Sequence, residues 1–221
     1  MSKSVHSSAF EQAAPVPMTV ARRRIHAAAM GLFTDLGVTR VSISELAAAA
    51  GMARGTIYAN VADVDKLFEE VAAQLVRDMA HRVVLSFPDN DDPARNLSIG
   101  VRQYIRRAHD EPLWGRFMNR FGLSNASLQA VWATDPVANL RAGIDSGRYK
   151  ITEQQLPSMV GMLTGGTLAA MFPVLEGHGT WREVGANTAE LALLALGLPR
   201  KEAKALARSE LPPLPPATDG S

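Results

Sequence analysis

The side chains best suited to noncovalent recognition lie in one stretch, SELAAAAGMARGTIYAN, at residues 44–60. Its second half offers a guanidinium, a hydroxyl, a phenol and an amide, on Arg54, Thr56, Tyr58 and Asn60. Such groups form hydrogen bonds to phosphate oxygens and to base edges. A glycine, Gly51, interrupts the alanine-rich first half, although glycine costs a helix interior about 1 kcal/mol relative to alanine. The stretch therefore predicts two helices that meet at Gly51.

Residues suited to covalent chemistry are scarce. The chain has no cysteine, and its five histidines are widely scattered. The run GMLTGGT at 161–167 has the glycine spacing of a phosphate-binding loop, but Thr167 stands where that loop requires a lysine. Neither G-x-S-x-G nor H-E-x-x-H occurs. We therefore expect no enzymatic activity, no cofactor and no metal site.

Composition indicates a folded protein with a core. Apolar residues make up 47% of the 221 residues, which excludes disorder for most of the chain. No uninterrupted apolar run reaches 18 residues, so we expect a soluble, non-exported, cytoplasmic protein without a membrane span. The net charge is only +1, but basic residues dominate residues 1–60 and acidic residues dominate 61–100. This asymmetry suggests a polyanionic partner for the first segment, or ordinary scatter of surface charge.

Helical periodicity runs through the chain, and no alternating apolar window competes with it. The fold class is therefore predicted as all-α. Residues 1–18 read as a flexible tail and residues 210–221 as a proline-rich tail or strap. Between them, 19–79 and 80–209 read as two domains.

The spacing around Gly51 fits a helix-turn-helix at 42–60. Ala47 keeps the first helix slim where the second crosses it, and Gly51 tolerates the positive φ of the turn. Ile57 would point back into the core. By itself this spacing also matches alanine-rich helical hairpins.

Three runs resemble the DNA-binding head of the TetR family of transcriptional regulators. They are AAAMGLFTDLG (27–37), SISELAAAAGMARGTIYANV (42–61) and DKLFEEV (65–71). The resemblance implies a three-helix helix-turn-helix head followed by a larger helical domain for effector binding and dimerisation. It also implies a homodimeric repressor released from double-stranded operator DNA by a small apolar effector. The alternative is an all-helical small-molecule binding protein with little specific DNA binding.

The resemblance assigns roles to the head residues. Arg54 would read a guanine, contact a phosphate or stay solvated, and Tyr58 would contact a phosphate unless it is half buried. Gly55 would let the backbone approach the major groove, and Thr56 could touch a thymine methyl or a phosphate. The remaining candidates are Ser42, as helix cap, phosphate contact or both; Asn60, as DNA contact or helix end; and Arg22, Arg23 and Arg24, as backbone or minor-groove contacts or solvated residues.

The head departs from the family pattern at four positions. Ser42 replaces a threonine and keeps the hydroxyl, whereas Ala53 replaces a serine at the start of the recognition helix. Val61 stands where an aromatic residue is common. Val64 occupies the place of a lysine that often meets the DNA backbone. Whether Lys66 replaces that backbone contact is left open by the sequence.

The second half is rich in large soft side chains, which form either plain core or an effector pocket. The resemblance favours a pocket, because these regulators hold an apolar effector between their middle helices. Helices at 153–175 and 181–196 carry few polar positions, so we expect them to form a dimer interface rather than to be buried within one subunit. The candidate pocket residues are Trp114, Phe117, Met118, Phe121, Trp132, Met159, Met162 and Phe172.

Overall fold

The computed structural model describes residues 18–87, 92–125, 128–129 and 135–216. This part of the chain folds into ten α-helices and contains no strand, which confirms the predicted all-α class. The helices are α1 (Val20–Leu36), α2 (Ile43–Ala50), α3 (Arg54–Asn60), α4 (Leu67–Leu85), α5 (Pro93–Asp110), α6 (Pro112–Phe121), α7 (Asp135–Asp145), α8 (Leu156–Leu175), α9 (Trp181–Ala195) and α10 (Arg200–Ala207). Short 3-10 turns, Val64–Lys66 and Glu153–Gln155, precede α4 and α8.

The chain divides into two compact units, with the boundary between His81 and Arg82 inside α4. In the first unit, α1 begins at a side-chain cap from Thr19 and ends at Gly37, whose φ of 71° suits glycine. Its apolar face packs on the start of α4, where the rings of Phe33 and Phe68 meet edge to face at 5.0 Å. This contact joins α1, against which α2 and α3 pack, to the start of α4.

The turn between α2 and α3 has the conformation expected from the sequence. Gly51 has φ 59° and ψ 43°, in the left-handed region. Its N–H bonds to the carbonyl of Ala48 at 3.2 Å, and the Met52 N–H bonds to that of Ala47 at 3.0 Å, which together form a Schellman motif. A Cβ on Gly51 would lie 2.8 Å from Nη2 of Arg24. The backbone conformation therefore favours glycine here, and a larger residue would also displace the end of the Arg24 side chain.

Helix α5 is the centre of the second unit, with α6, α7, α8, α9 and α10 packed around it. One apolar cluster joins α5 to α7, α8 and α9 around Leu97, Leu140 and Leu193. At the start of α5, Asp92 caps the helix and accepts two hydrogen bonds from Arg148, at 2.9 and 3.1 Å. Burial raises the pKa of Asp92, but the bonds from Arg148 and from backbone amides outweigh it and leave the pKa below its usual value. The acidic residue therefore ties α5 to the turn after α7.

One segment meets the length and composition criteria for a membrane span without contradicting the expected absence of one. The helix with its preceding turn, Glu153–Leu175, is long and apolar enough to cross a bilayer by length and composition. Polar residues such as Thr164 and Thr167 interrupt the segment, so it contains no uninterrupted apolar run of 18 residues. Core helices of soluble proteins pass the same test, and 39% of the window is buried within this chain.

Candidate nucleic-acid interface

Helix α3 presents nearly all of its side chains to solvent. Among residues 54–60 only Ile57 is fully buried, and it anchors the helix to the first unit. Arg54, Thr56 and Tyr58 are exposed. Tyr58 keeps 68% of its surface accessible, so the tyrosine is not half buried. The structure therefore brings the predicted base- and phosphate-contacting residues onto one short exposed helix.

The Arg54 side chain is available for an external partner. In the described part of the chain it takes part in no hydrogen bond and no ion pair. An exposed arginine donates through a planar fork that matches O6 and N7 of guanine or a phosphate. The exposed side chain is compatible with all three roles predicted for this residue, which remain predictions.

Ser42 and Asn60 have local roles in the structure. Ser42 caps α2 in a capping box, in which its hydroxyl accepts from the Glu45 N–H at 3.2 Å and donates to the Glu45 carboxylate at 2.7 Å. Backbone and side-chain hydrogen bonds from Ser42 lower the pKa of Glu45. The Asn60 amide donates to the Thr56 carbonyl at 2.9 Å and so secures the last turn of α3. Their predicted DNA contacts remain predictions.

The departures at Ala53 and Val64 have visible consequences. Ala53 is the N-cap of α3 and supplies no side-chain hydrogen bond. Val64 is half buried, whereas the exposed Lys66 lies 3.7 Å from the carboxylate of Asp63. An exposed ion pair of this kind is worth at most about 1 kcal/mol, so Lys66 can exchange Asp63 for another anion.

Arg22 and Arg24 have contacts within the first unit. Arg22 forms an ion pair with Glu70 at 2.8 Å, which joins α1 to α4. Arg24 donates to the carbonyl of Gly51 at 3.5 Å and so supports the turn between α2 and α3. These contacts give Arg22 and Arg24 structural roles that the sequence pattern did not separate from DNA contact.

Nothing in the described part of the chain requires glycine at position 55. Its φ is not positive, and a Cβ built on it would meet no atom within 4 Å. A glycine that is neither strained nor crowded still lowers helix stability relative to alanine. Close approach of an external partner to the α3 backbone would explain it.

Gly55→Ala is therefore expected to stabilise the free protein by about 0.4–1 kcal/mol and to weaken DNA binding about tenfold or more. Gly31→Ala is the matched control, because Gly31 in α1 is equally uncrowded and has no positive φ. Thermal unfolding and a DNA titration of both variants separate the two effects. Equal DNA affinity of the two variants would show that α3 does not approach DNA closely.

One feature of the first unit was missed by sequence analysis. A groove of about 560 Å³ between α1 and α4 is lined by His26 together with Arg22, Glu70 and Arg77. Burial, reinforced by the charge of Arg22, lowers the pKa of His26 to about 4. His26 lies one turn before Ala29 and two turns before Phe33 on the buried face of α1, and this periodicity was the available signal.

The candidate pocket residues fall into three groups. Trp114, Phe117, Met118 and Phe121 are buried on α6, with the rings of Phe117 and Phe121 5.2 Å apart. Met159 lies in the α5–α7–α8–α9 cluster. Met162 and Phe172 keep 49% and 54% of their surface exposed. Trp132 lies outside the described residues. The pocket stays a prediction, centred on α6.

Metal ligation has no evident location in the regions that the structure describes. No group of three or more His, Asp or Glu side chains within them could hold a metal ion.

Comparison with known proteins gives matches for both halves of the chain. Residues 25–71 match the family model described as bacterial regulatory proteins, tetR family. Residues 92–209, more than half of the chain, match the model described as tetracyclin repressor-like, C-terminal domain. No curated protein matches the sequence.

Solved structures share the fold. RolR in complex with resorcinol is 23% identical, with 95% of this chain and 100% of that chain covered and a TM-score of 0.67. A regulator from Shewanella sp. PV-4, described as a putative tetR family protein, is 18% identical, with 82% and 100% covered and a TM-score of 0.71. SmeT, the repressor of the Stenotrophomonas maltophilia efflux pump SmeDEF, is 19% identical, with 79% and 89% covered and a TM-score of 0.60.

Proposed function

The chain belongs to the TetR family of transcriptional regulators, and from this premise we propose that it is a homodimeric repressor released from its operator by a small apolar effector. The exposed α3 carries this proposal. Arg54, Thr56 and Tyr58 stand on a helix with one buried anchor, Ile57. Gly55 adds a backbone that a DNA groove can approach. Side chains near the start of such a helix read bases, and flanking groups fix its register on phosphates.

The homodimer is supported by the outer face of α8. The sequence of Leu156–Leu175 contains no charged residue. Its exposed positions include Met162 and Phe172, and a Cβ on Gly161, Gly165 or Gly166 would meet no atom of the described residues within 4 Å. On α9, Leu191 keeps 66% of its surface exposed. A second copy packed against α8 and α9 would bury this apolar surface and place two heads on one duplex.

The effector is proposed to bind in the second unit near Trp114, Phe117 and Phe121. The buried aromatic rings there have the apolar character that is common in the lining of small-ligand sites. RolR, which shares the fold, has been solved with resorcinol, a small phenol. Phenols of this size are therefore the first compounds to test. Helix α4 would carry the signal, because it is continuous from Leu67 in the first unit to Leu85 in the second.

Selection of bound duplexes from a random pool, combined with light scattering of the free protein, tests the DNA-binding function. We expect a palindromic site with half-sites one helical turn apart, roughly 34 Å, and a dimer in solution. A monomer that enriches no sequence would overturn the proposal. It would instead favour the alternative, a small-molecule binding protein with little specific DNA binding.

Effector and operator are expected to weaken each other's binding by the same factor, about 5–150-fold, because linkage between two binding sites is reciprocal. Calorimetry with the effector, with and without saturating operator, measures one side of this coupling. A DNA titration with and without effector measures the other. Equal effector affinity in both titrations would mean that the second unit binds its ligand without regulating the head.

A further inference from the structure

The segment Ser209–Pro215, with the sequence SELPPLP, folds back on the second unit, and we call it the strap. Glu210 and Pro213 are exposed, whereas the other five residues are half buried. This period of three is the period of a polyproline II helix, the conformation that proline-rich sequences favour. The proline-rich tail or strap expected from the sequence is therefore a strap with two of its three faces covered.

The strap is held by hydrogen bonds that follow the same period. The carbonyl of Ser209 accepts from Nη2 of Arg102 at 2.7 Å. The carbonyl of Pro212 accepts from Nε2 of Gln103 at 2.7 Å, and that of Pro215 accepts from Nε of Arg82 at 2.6 Å. Because a polyproline II helix repeats every three residues, carbonyls at these positions point in one direction. The three donors therefore bind carbonyls along one edge of the strap.

These donors are buried side chains. Arg82 and Arg102 are each 8% exposed, and Gln103 is 0% exposed. Burial also lowers the pKa of Arg102. In the folded chain the three strap carbonyls satisfy donor groups on these side chains, and burial without such partners would carry a desolvation cost. A proline-rich peptide suits them, since it has free carbonyls and few N–H groups of its own.

The donors come from two helices with different roles. Arg102 and Gln103 lie on α5, the central helix of the second unit. Arg82 lies in the last turns of α4 and also contacts the carboxylate of Glu111 at 3.5 Å. A peptide that bonds to all three side chains therefore joins the end of α4 to α5.

We propose that Arg82, Arg102 and Gln103 form a binding site for a polyproline II peptide, that the chain's own strap occupies this site, and that its occupancy fixes the end of α4. The site takes proline-rich segments that present carbonyls at every third residue. This goes beyond operator and effector binding, and it does not depend on either of them.

Hydrogen exchange of a chain ending at Arg208 tests the proposal, with a chain ending at Pro216 as the matched control that keeps every strap contact. In the shorter chain we expect amide exchange in residues 78–85 to rise about tenfold, because the last turns of α4 lose a fixed partner. Residues 43–60 should exchange as in the control.

Adding the peptide SELPPLPP at about 1 mM, the order of effective concentration of a short tethered segment, should restore slow exchange in the shorter chain. A peptide with alanine in place of each proline should restore it less. The proposal is overturned if exchange in 78–85 is the same in the two truncated chains, or if the two peptides act alike. DNA selection on the same chains shows separately whether the head functions.

If the shorter chain does not fold, a full-length variant tests the same proposal. Replacing Pro212, Pro213 and Pro215 together by glycine keeps every carbonyl but removes the preference for polyproline II. Exchange in residues 78–85 should again rise above that of the unmodified chain. Unchanged exchange in a folded variant would show that the strap is a passive cover.

Discussion

Arg54→Ala is expected to relax sequence preference at one position of each half-site, by about 5–150-fold against the other bases. The exposed guanidinium has no partner among the described residues of the chain, so its hydrogen-bonding capacity is available to a base. A bidentate arginine–guanine pair discriminates by about 1–3 kcal/mol, which converts to that range. Ranking a panel of operator variants with both proteins measures the change.

Tyr58→Phe is the matched comparison on the same helix. Loss of the phenolic hydroxyl removes a hydrogen bond to phosphate, worth about 1.5–3 kcal/mol when the partner is charged. Because a phosphate carries no sequence information, we expect all operator variants to weaken evenly. The two roles are wrongly assigned if Arg54→Ala leaves the ranking of the variants unchanged, or if Tyr58→Phe reorders it.

The head could be predicted closely because its signals are local. The positive φ of Gly51 and the capping box of Ser42 and Glu45 depend on residues at most five positions apart. Such steric and capping rules operate within a few residues, so the order of residues contains them. Exposure of Arg54 and Tyr58 follows from the same rules once Ile57 is assigned to the core.

Contacts between distant residues could not be predicted in this way. Nothing near Arg22 indicates that it pairs with Glu70, 48 residues later. Arg82 bonds to Pro215, 133 residues away, and the proline-rich composition of the strap predicts its conformation but not its position. The apolar α8 shows a related difficulty, because its composition alone does not separate core, pocket and subunit interface. The exposed positions Met162 and Phe172 became evident only from the packing of the second unit.

Leu191→Asp is expected to convert the dimer into folded monomers and thereby to abolish tight DNA binding. Leu191 is 66% exposed in the single chain, so the substitution leaves the fold of one subunit intact. In a twofold dimer each substitution occurs twice. If each buried apolar side chain that is lost costs about 2 kcal/mol, the total of about 4 kcal/mol raises the dimer dissociation constant about 1000-fold.

Leu123→Asp is the control for this change, because Leu123 is another leucine of the second unit and is 56% exposed, but it lies outside α8 and α9. Sedimentation at several concentrations gives the subunit equilibrium of both variants, and circular dichroism verifies that each remains helical. Since one head meets only half of a palindromic site, the affinity of Leu191→Asp for the selected operator should fall with the loss of the dimer. An unchanged dimer in Leu191→Asp would place the interface elsewhere. Monomers that bind the full operator as tightly as the unmodified protein would show that DNA binding does not need the second subunit.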